Sequence, residues 1–306
     1  MINILGKRYL YFAISLLVIL PGLALLIAGG LPLAIDFTGG SLLEVQFEEG
    51  KPLAPADVVR LYEENGLNDA QVQTTEAGTL LIRSSFLENE RRDAVLTAMQ
   101  DGSGGVVRVV RFDSVGPSIG QQVTSRGALA VAIAAVAVVL YITTAFRRVP
   151  NASRYGVCAI IAMVHDVAVV FSVAAIGARL FDWQMDSLFL TAVLTVIGFS
   201  VQDKVVVFDR IRENSNVLRR LDYEVLVNHS IVQTLQRSIN TQLMTVEFLL
   251  LALALFGGVT LQEFAVILLV GLFSGTYSSI FIAAPILVLW EKREWRTWFR
   301  RDLAIP

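Results

Sequence analysis

Five ionisable side chains sit inside long apolar stretches of this chain: His165 next to Asp166, Asp203 next to Lys204, and Glu247. At the centre of a bilayer such a group costs about 2.5–3.5 kcal/mol on insertion scales, so each needs a partner or a task. Asp203 has the most legible surroundings. Ser200 lies three residues before it and Arg210 seven after, which places all three on one helical stripe. Further on, Arg237, Asn240, Thr241 and Met244 share a face. Burial favours a neutral carboxyl and a nearby cation favours the ionised form. A carboxylate held between the two can load and release a proton as its access alternates. The competing reading is a static ion pair of Asp203 with Lys204 or Arg210. Lys204 has a stem long enough to snorkel to the headgroups. Asp166 suits either proton carriage or a helix–helix hydrogen bond, and Glu247 reads as an interface residue.

Other chemistries are poorly served. Two aspartates inside the membrane, Asp166 and Asp203, permit a proton-sharing protease dyad, but Asp203 lies near the inner interface beside a lysine. The sequence has no HExxH, no Walker A loop and no GxSxG. Its single cysteine, Cys158, lies in an apolar run, and no Cys/His cluster suggests a metal. The expectation is a protein that is not an enzyme, without cofactor or metal.

The elements that carry these residues are set by hydropathy. Of 306 residues, 55% are hydrophobic and 17% charged, with mean hydropathy +0.62. An ordinary soluble domain carries about 25% charge. The excess comes in blocks, and a helix needs about 20 mostly apolar residues to cross the hydrocarbon core. Six blocks qualify: Tyr9 to Ala28, Gly127 to Phe146, Tyr155 to Ala178, Ser187 to Phe208, Thr241 to Gly258, and Phe264 to Trp290. The first is too long for a usual signal-peptide core and reads as an uncleaved anchor. A net charge of −2 and a pI near 5.8 offer nucleic acid no basic surface.

Lys and Arg near the span ends give an orientation. Lys7 and Arg8 precede the first span; Arg147, Arg148 and Arg154 lie between the second and third. Arg210, Arg212, Arg219, Arg220 and Arg237 lie between the fourth and fifth, and Lys292, Arg293, Arg296, Arg300 and Arg301 follow the sixth. With six spans, every one of these segments falls on the same side, which puts both termini in the cytoplasm. Two N-x-S sequons, at Asn151 and Asn228, fall on that side and carry no glycosylation reading.

Residues 29–126 then lie outside, between the first two spans. Ser41 to Phe47 alternates as a strand. Pro55 to Asn65 reads as a helix closed by Gly66, and Leu87 to Gln100 as a second. Ala70 to Thr75, Thr79 to Ser84 and Val106 to Phe112 read as strands. The order βαββαβ is that of a ferredoxin-like α+β unit. The expected organisation is 1–28 as the N-terminus and helix 1, 29–126 as the extracytoplasmic domain, 127–290 as helices 2–6, and 291–306 as a cytoplasmic tail. Gly271 and Gly275 form a GxxxG face in the last span, and the alanine-rich second span offers another packing surface.

Several motifs together resemble the SecF family, the smaller partner in bacterial SecD/SecF protein-export complexes. Asp36-Phe37-Thr38-Gly39-Gly40 is similar to its DFTGG turn, Ser114-Val115-Gly116-Pro117 to its SVGP motif, and His165-Asp166 to its HD pair. Gly198-Phe199-Ser200 through Asp203, then Val206 to Asn214 (VVFDRIREN), is similar to its span-four signature, and Thr234 to Ser238 to the segment entering span five. Lys204 departs from the pattern, which usually has a small or hydroxylated residue there.

The resemblance implies half of a resistance-nodulation-division type transporter in the bacterial plasma membrane. Six spans would pair with six of a SecD-like subunit, and the proton gradient, or in some members sodium, would drive late steps of export. It implies work beside the SecYEG channel and SecA on a translocating preprotein. It makes Asp203 the ion-coupling carboxylate, with Arg237 in the same relay and His165, Asp166 and Ser200 as neighbouring polar groups. Asp36, Gly39 and Gly40 become a junction or hinge, and Asp209, Arg210, Arg212, Glu213 and Asn214 a cytoplasmic signature. The alternatives are half of a proton-coupled drug or lipid exporter of that superfamily, and a receptor or scaffold, which would have no need of Asp203 and Arg237.

Overall fold

The computed structural model describes residues 3–48, 50–75, 78–146, 152–242, 248–256 and 258–294. From the N-terminus, α1 (Arg8–Gly29) leads to a single helical turn α2 (Ile35–Thr38), then β1 (Gly40–Phe47), α3 (Pro55–Glu64), β2 (Gln71–Thr74), β3 (Leu80–Ser84), α4 (Asn89–Ser103) and β4 (Val107–Val115). There follow α5 (Pro117–Ala145), α6 (Ala152–Phe181), α7 (Ser187–Val217), α8 (Tyr223–Gln242), α9 (Phe248–Phe256) and α10 (Gly258–Ser278). A π-helical turn, Ser279–Ala283, and α11 (Ala284–Lys292) close the described chain. Two compact units result: Met1–Pro32 with Ala130–Pro306, and Leu33–Leu129.

In the second unit the four strands form one antiparallel sheet in the order β2-β3-β1-β4. The alternation along β1 sends Leu43 and Val45 into the core and leaves Leu42, Glu44 and Gln46 half-buried. Val58 and Tyr62 from α3 and Val95 and Met99 from α4 cover the same face, each fully buried. Pro55 at the first position starts α3. Gly104, with φ +66°, ends α4, since a residue with a Cβ resists that left-handed geometry. Strand β4 runs three residues beyond the expected Phe112. Its extension pairs with the start of β1, Gly40 opposite Val115, so the two glycine-bearing motifs at 36–40 and 114–117 meet. The turn expected at Asp36–Gly40 opens with the helical turn α2, whose four residues are too few for periodicity to register.

Among the described residues, five helices are long and apolar enough to cross a membrane: Leu5–Gly29, Pro117–Ala145, Ser153–Phe181, Ser187–Val217 and Leu261–Lys292. The fifth expected span, 241–258, includes residues 243–247 and 257, which lie outside the described residues together with Met244 and Glu247. The described part consists of the end of α8, the nine residues of α9 and Gly258, where α10 begins. Asp186 caps α7 by accepting a hydrogen bond from the Phe189 amide at 2.8 Å.

Small residues let these helices approach closely. A Cβ on Gly22 would lie 2.3 Å from the Ser172 Cα, while the Ser172 hydroxyl donates to the Val18 carbonyl at 2.7 Å. Backbone thus rests on backbone where α1 crosses α6. Gly22→Ala is therefore expected to force the two helices apart and lower stability by about 1–3 kcal/mol, the usual cost of overpacking. Thermal unfolding in detergent checks this, with Leu23→Ala, on the exposed side of α1, as the near-neutral control. An equal loss in both variants would show that the Gly22 contact is not special.

Candidate functional site

Asp166 of α6 is fully buried, and both carboxylate oxygens are saturated. Its Oδ2 accepts hydrogen bonds from Lys204 Nζ at 2.7 Å, Ser200 Oγ at 2.6 Å and Ser278 Oγ at 2.7 Å. Its Oδ1 accepts from Ser274 Oγ at 2.8 Å and faces His165 Nδ1 at 3.1 Å. Lys204 of α7 is also fully buried. Its ammonium donates as well to the Ser200 carbonyl at 3.1 Å and to the Ser200 hydroxyl. The result is an ion pair between α6 and α7, roofed by α10.

The second carboxylate has a different setting. Asp203 is 6% exposed, and it accepts hydrogen bonds from the Ser238 hydroxyl of α8 at 2.7 Å and from the Ser279 hydroxyl at the start of the π-helical turn. No cation pairs with it among the described residues. Consecutive serines, Ser278 and Ser279, thus serve different carboxylates. A π-helical turn resets the helical register, and such turns recur at functional positions.

The packing of α10 explains how its hydroxyls reach this depth. Gly271, Ser274, Gly275 and Ser278 recur at i, i+3, i+4 and i+7, one stripe of a helix. A Cβ on Gly271 would lie 2.2 Å from Val196 Cγ2, and one on Gly275 3.3 Å from the Ser200 Cα. The glycines bring α10 against α7, and Ser274, between them, and Ser278, one turn further on, then meet Asp166. Its neighbour His165 stacks near Tyr277, ring centroids 6.3 Å apart, and its Nε2 is buried with no partner among the described residues.

Several sequence expectations are redistributed by this geometry. The proposed static pairing of Asp203 with Lys204 or Arg210 does not occur. Lys204 pairs with Asp166, so it does not snorkel to the headgroups. Arg210 binds Gln233 Oε1 at 2.7 Å and Glu213 Oε2 at 2.7 Å. Ser200 turns to Asp166 and not to Asp203. Arg237 is exposed, as are Asn240 and Thr241, while their neighbour Ser238 is the α8 residue that meets Asp203. Asp209 pairs with Arg212 at 2.6 Å. Asn214 donates to Ser230 Oγ at 2.8 Å and Gln233 Oε1 at 2.9 Å, so this signature ties the end of α7 to α8.

The other end of α8 is anchored by charge. Glu224 meets Lys292 at 2.6 Å and Arg8 at 2.8 Å; Lys292 also meets Asp222 at 3.1 Å, and Arg8 meets Glu294 at 2.8 Å. The hydrogen bond from Lys292, reinforced by Arg8, holds the Glu224 carboxyl below its usual range against the opposing effect of burial. The Ile4 amide donates to Asn228 Oδ1 at 2.8 Å, adding an uncharged tether.

The second unit holds the remaining motif residues. Gly39 and Gly40 have φ of +74° and +129°. A Cβ on Gly39 would lie 2.9 Å from the Pro117 Cα and one on Gly40 2.8 Å from the Ser84 carbonyl, so both space and backbone demand glycine. Thr124 of α5 donates to the Phe37 carbonyl at 3.0 Å. Asp36 lies in the first turn of α2, half-buried.

Ser238, Ser274, Ser278 and Ser279 were not anticipated as site residues. Serine is unremarkable in an apolar helix; the available signal was the small-residue stripe from Gly271 to Ser278.

Comparison with known proteins is consistent across the whole length. The family model "Protein export membrane protein SecD/SecF, C-terminal" matches residues 95–293, and "SecD/SecF GG Motif" matches residues 24–51. The chain is 67% identical over 301 residues to the protein translocase subunit SecF of Anaerolinea thermophila, covering 98% of each chain. It is 45% identical to that of Thermobaculum terrenum, again over 98% of each. Among solved structures it is similar to SecDF, a translocon-associated membrane protein from Thermus thermophilus, with TM-score 0.80 and 32% identity. That match covers 95% of this chain and 39% of the longer SecDF chain. A second SecDF structure, in a super-membrane-facing form, matches with TM-score 0.68.

Proposed function

This chain belongs to the SecF family of SecD/SecF protein-export membrane proteins, and from that premise we propose that it is a gradient-driven accessory subunit of the preprotein translocase. It pairs with a SecD-like subunit in the bacterial plasma membrane. Together they act beside SecYEG and SecA on late steps of export. On this reading the chain crosses the membrane six times, with both termini cytoplasmic. The sheet order β2-β3-β1-β4, with α3 and α4 on one face, supports reading residues 29–126 as an extracytoplasmic ferredoxin-like domain.

The observation that carries the coupling role is the contrast between the two buried aspartates. Asp166 is neutralised by Lys204, whereas Asp203 is surrounded by hydroxyls. A serine hydroxyl donates to a carboxylate and accepts from a carboxylic acid, so the Asp203 site serves both protonation states by rotating two hydroxyls. Proton loading from outside and release inside would then switch how Asp203 binds α8 and the π-helical turn, which shifts the balance between two helix arrangements. Arg237, exposed beside Ser238, would meet the partner subunit and join the relay there. The same holds for α1 and α5, whose apolar stretches are only 11% and 6% buried within the chain. Asp36, Gly39 and Gly40 form the junction that passes motion to the outer domain.

Co-expression tests the pairing. The chain is expected to co-purify from native membranes with a SecD-like protein and to restore release of a secreted reporter only when both are present. Recovery solely as an isolated chain, or full reporter release without the partner, would overturn the assignment.

A further inference from the structure

We infer that the pocket around Asp166 is a site for a monovalent alkali cation, and that Lys204 fills it with a cation tethered to the chain. The ammonium is a compact, strongly hydrated point charge with three donors. Each donor meets an oxygen: Asp166 Oδ2 at 2.7 Å, the Ser200 carbonyl at 3.1 Å, and Ser200 Oγ. Around that shell, Ser274 and Ser278 hold the carboxylate at 2.8 and 2.7 Å. The surroundings contain a carboxylate, a carbonyl and hydroxyls, which are the hard oxygen donors that alkali and alkaline-earth ions take.

Charge and accessibility agree with this assignment. One buried carboxylate balances one monovalent cation, and Asp166, Lys204, Ser200, Ser274 and Ser278 are each at most 5% exposed. His165, the other titratable group at the carboxylate, approaches Oδ1, while the ammonium binds Oδ2. Because Lys204 is covalently supplied, the cation is never depleted by the medium. The stability of the α6–α7–α10 contact is therefore independent of the sodium or potassium around the protein. This inference rests on the Asp166 pocket alone and holds whether or not Asp203 couples to a gradient.

Shortening Lys204 removes the ammonium and empties the space of its stem, leaving a buried carboxylate that needs a cation. Lys204→Ala opens room for an ion with its water; Lys204→Met removes the charge but keeps the volume filled. The full chain is purified in detergent with NaCl, KCl or choline chloride at equal concentration, and Tm is measured in each. The wild type is expected to give the same Tm in all three salts. Lys204→Ala is expected to give a Tm that rises and saturates with NaCl or KCl but not with choline chloride, and Lys204→Met a low Tm in all three. Adding Asp166→Asn to Lys204→Ala should abolish the response. The inference is overturned by a Lys204→Ala protein with one Tm in all salts, by its failure to fold in every salt, by a response that survives Asp166→Asn, or by a wild type whose Tm follows sodium or potassium.

Discussion

Asp203→Asn is expected to reduce gradient-dependent secretion to the level of a strain lacking the subunit, while the protein accumulates normally and still binds its partner. The two substituents are nearly isosteric, and asparagine remains within hydrogen-bonding reach of Ser238 and Ser279. What it loses is the ability to take up and give back a proton, because an amide does not titrate in this range. The expected signature is a separation of activity from stability: release of a secreted reporter falls at least tenfold, and Tm moves little. Asp166→Asn should show the opposite order, with stability lost first, since it strands the Lys204 ammonium in the interior. Normal secretion by Asp203→Asn at normal protein level would remove Asp203 from the coupling role. A drop in Tm as large as that of Asp166→Asn would make it a structural residue.

Much of the architecture was legible because it is written in periods and lengths. Apolar blocks of about 20 residues mark spans whatever their neighbours, and Leu43 and Val45 alternate with Glu44 and Gln46 in a way only a half-buried strand explains. The glycines at 39 and 40 entered only through the family resemblance, as a junction; their positive φ values add the backbone reason for glycine there. The partners of the buried charges were not legible. Lys204 lies next to Asp203 in sequence, yet successive helical residues point about 100° apart and do not face each other. Its true partner, Asp166, stands 38 positions away on another helix. Only the approach of α6, α7 and α10, set by Gly271 and Gly275, brings those groups together. The hydroxyls that complete the site follow from the same packing. Arg237 shows the converse: it is conspicuous in the sequence and exposed within this chain, while its neighbour Ser238 makes the buried contact.

The Asp166–Lys204 pair carries the second large effect. Removing either partner leaves the other charged and buried, and breaking such pairs costs about 3–5 kcal/mol in protein interiors. Lys204→Met and Asp166→Asn are each expected to lose stability of that size. Water cannot readily solvate the stranded group, because both residues are fully buried. The double variant removes both charges at once. Met fills the lysine's space, and Asn keeps the hydrogen bonds from Ser274 and Ser278. It should therefore recover most of the loss, as buried pairs replaced by neutral residues of similar volume often do. Unfolding of all four proteins in one detergent, by heat at constant salt, gives the cycle. A double variant whose loss equals the sum of the single losses would mean that the two side chains act independently. That result would contradict a pair held at 2.7 Å in a site closed to solvent. Strong non-additivity, together with secretion retained in the double variant, would assign the pair to holding α6 against α7. Proton traffic would then be left to Asp203.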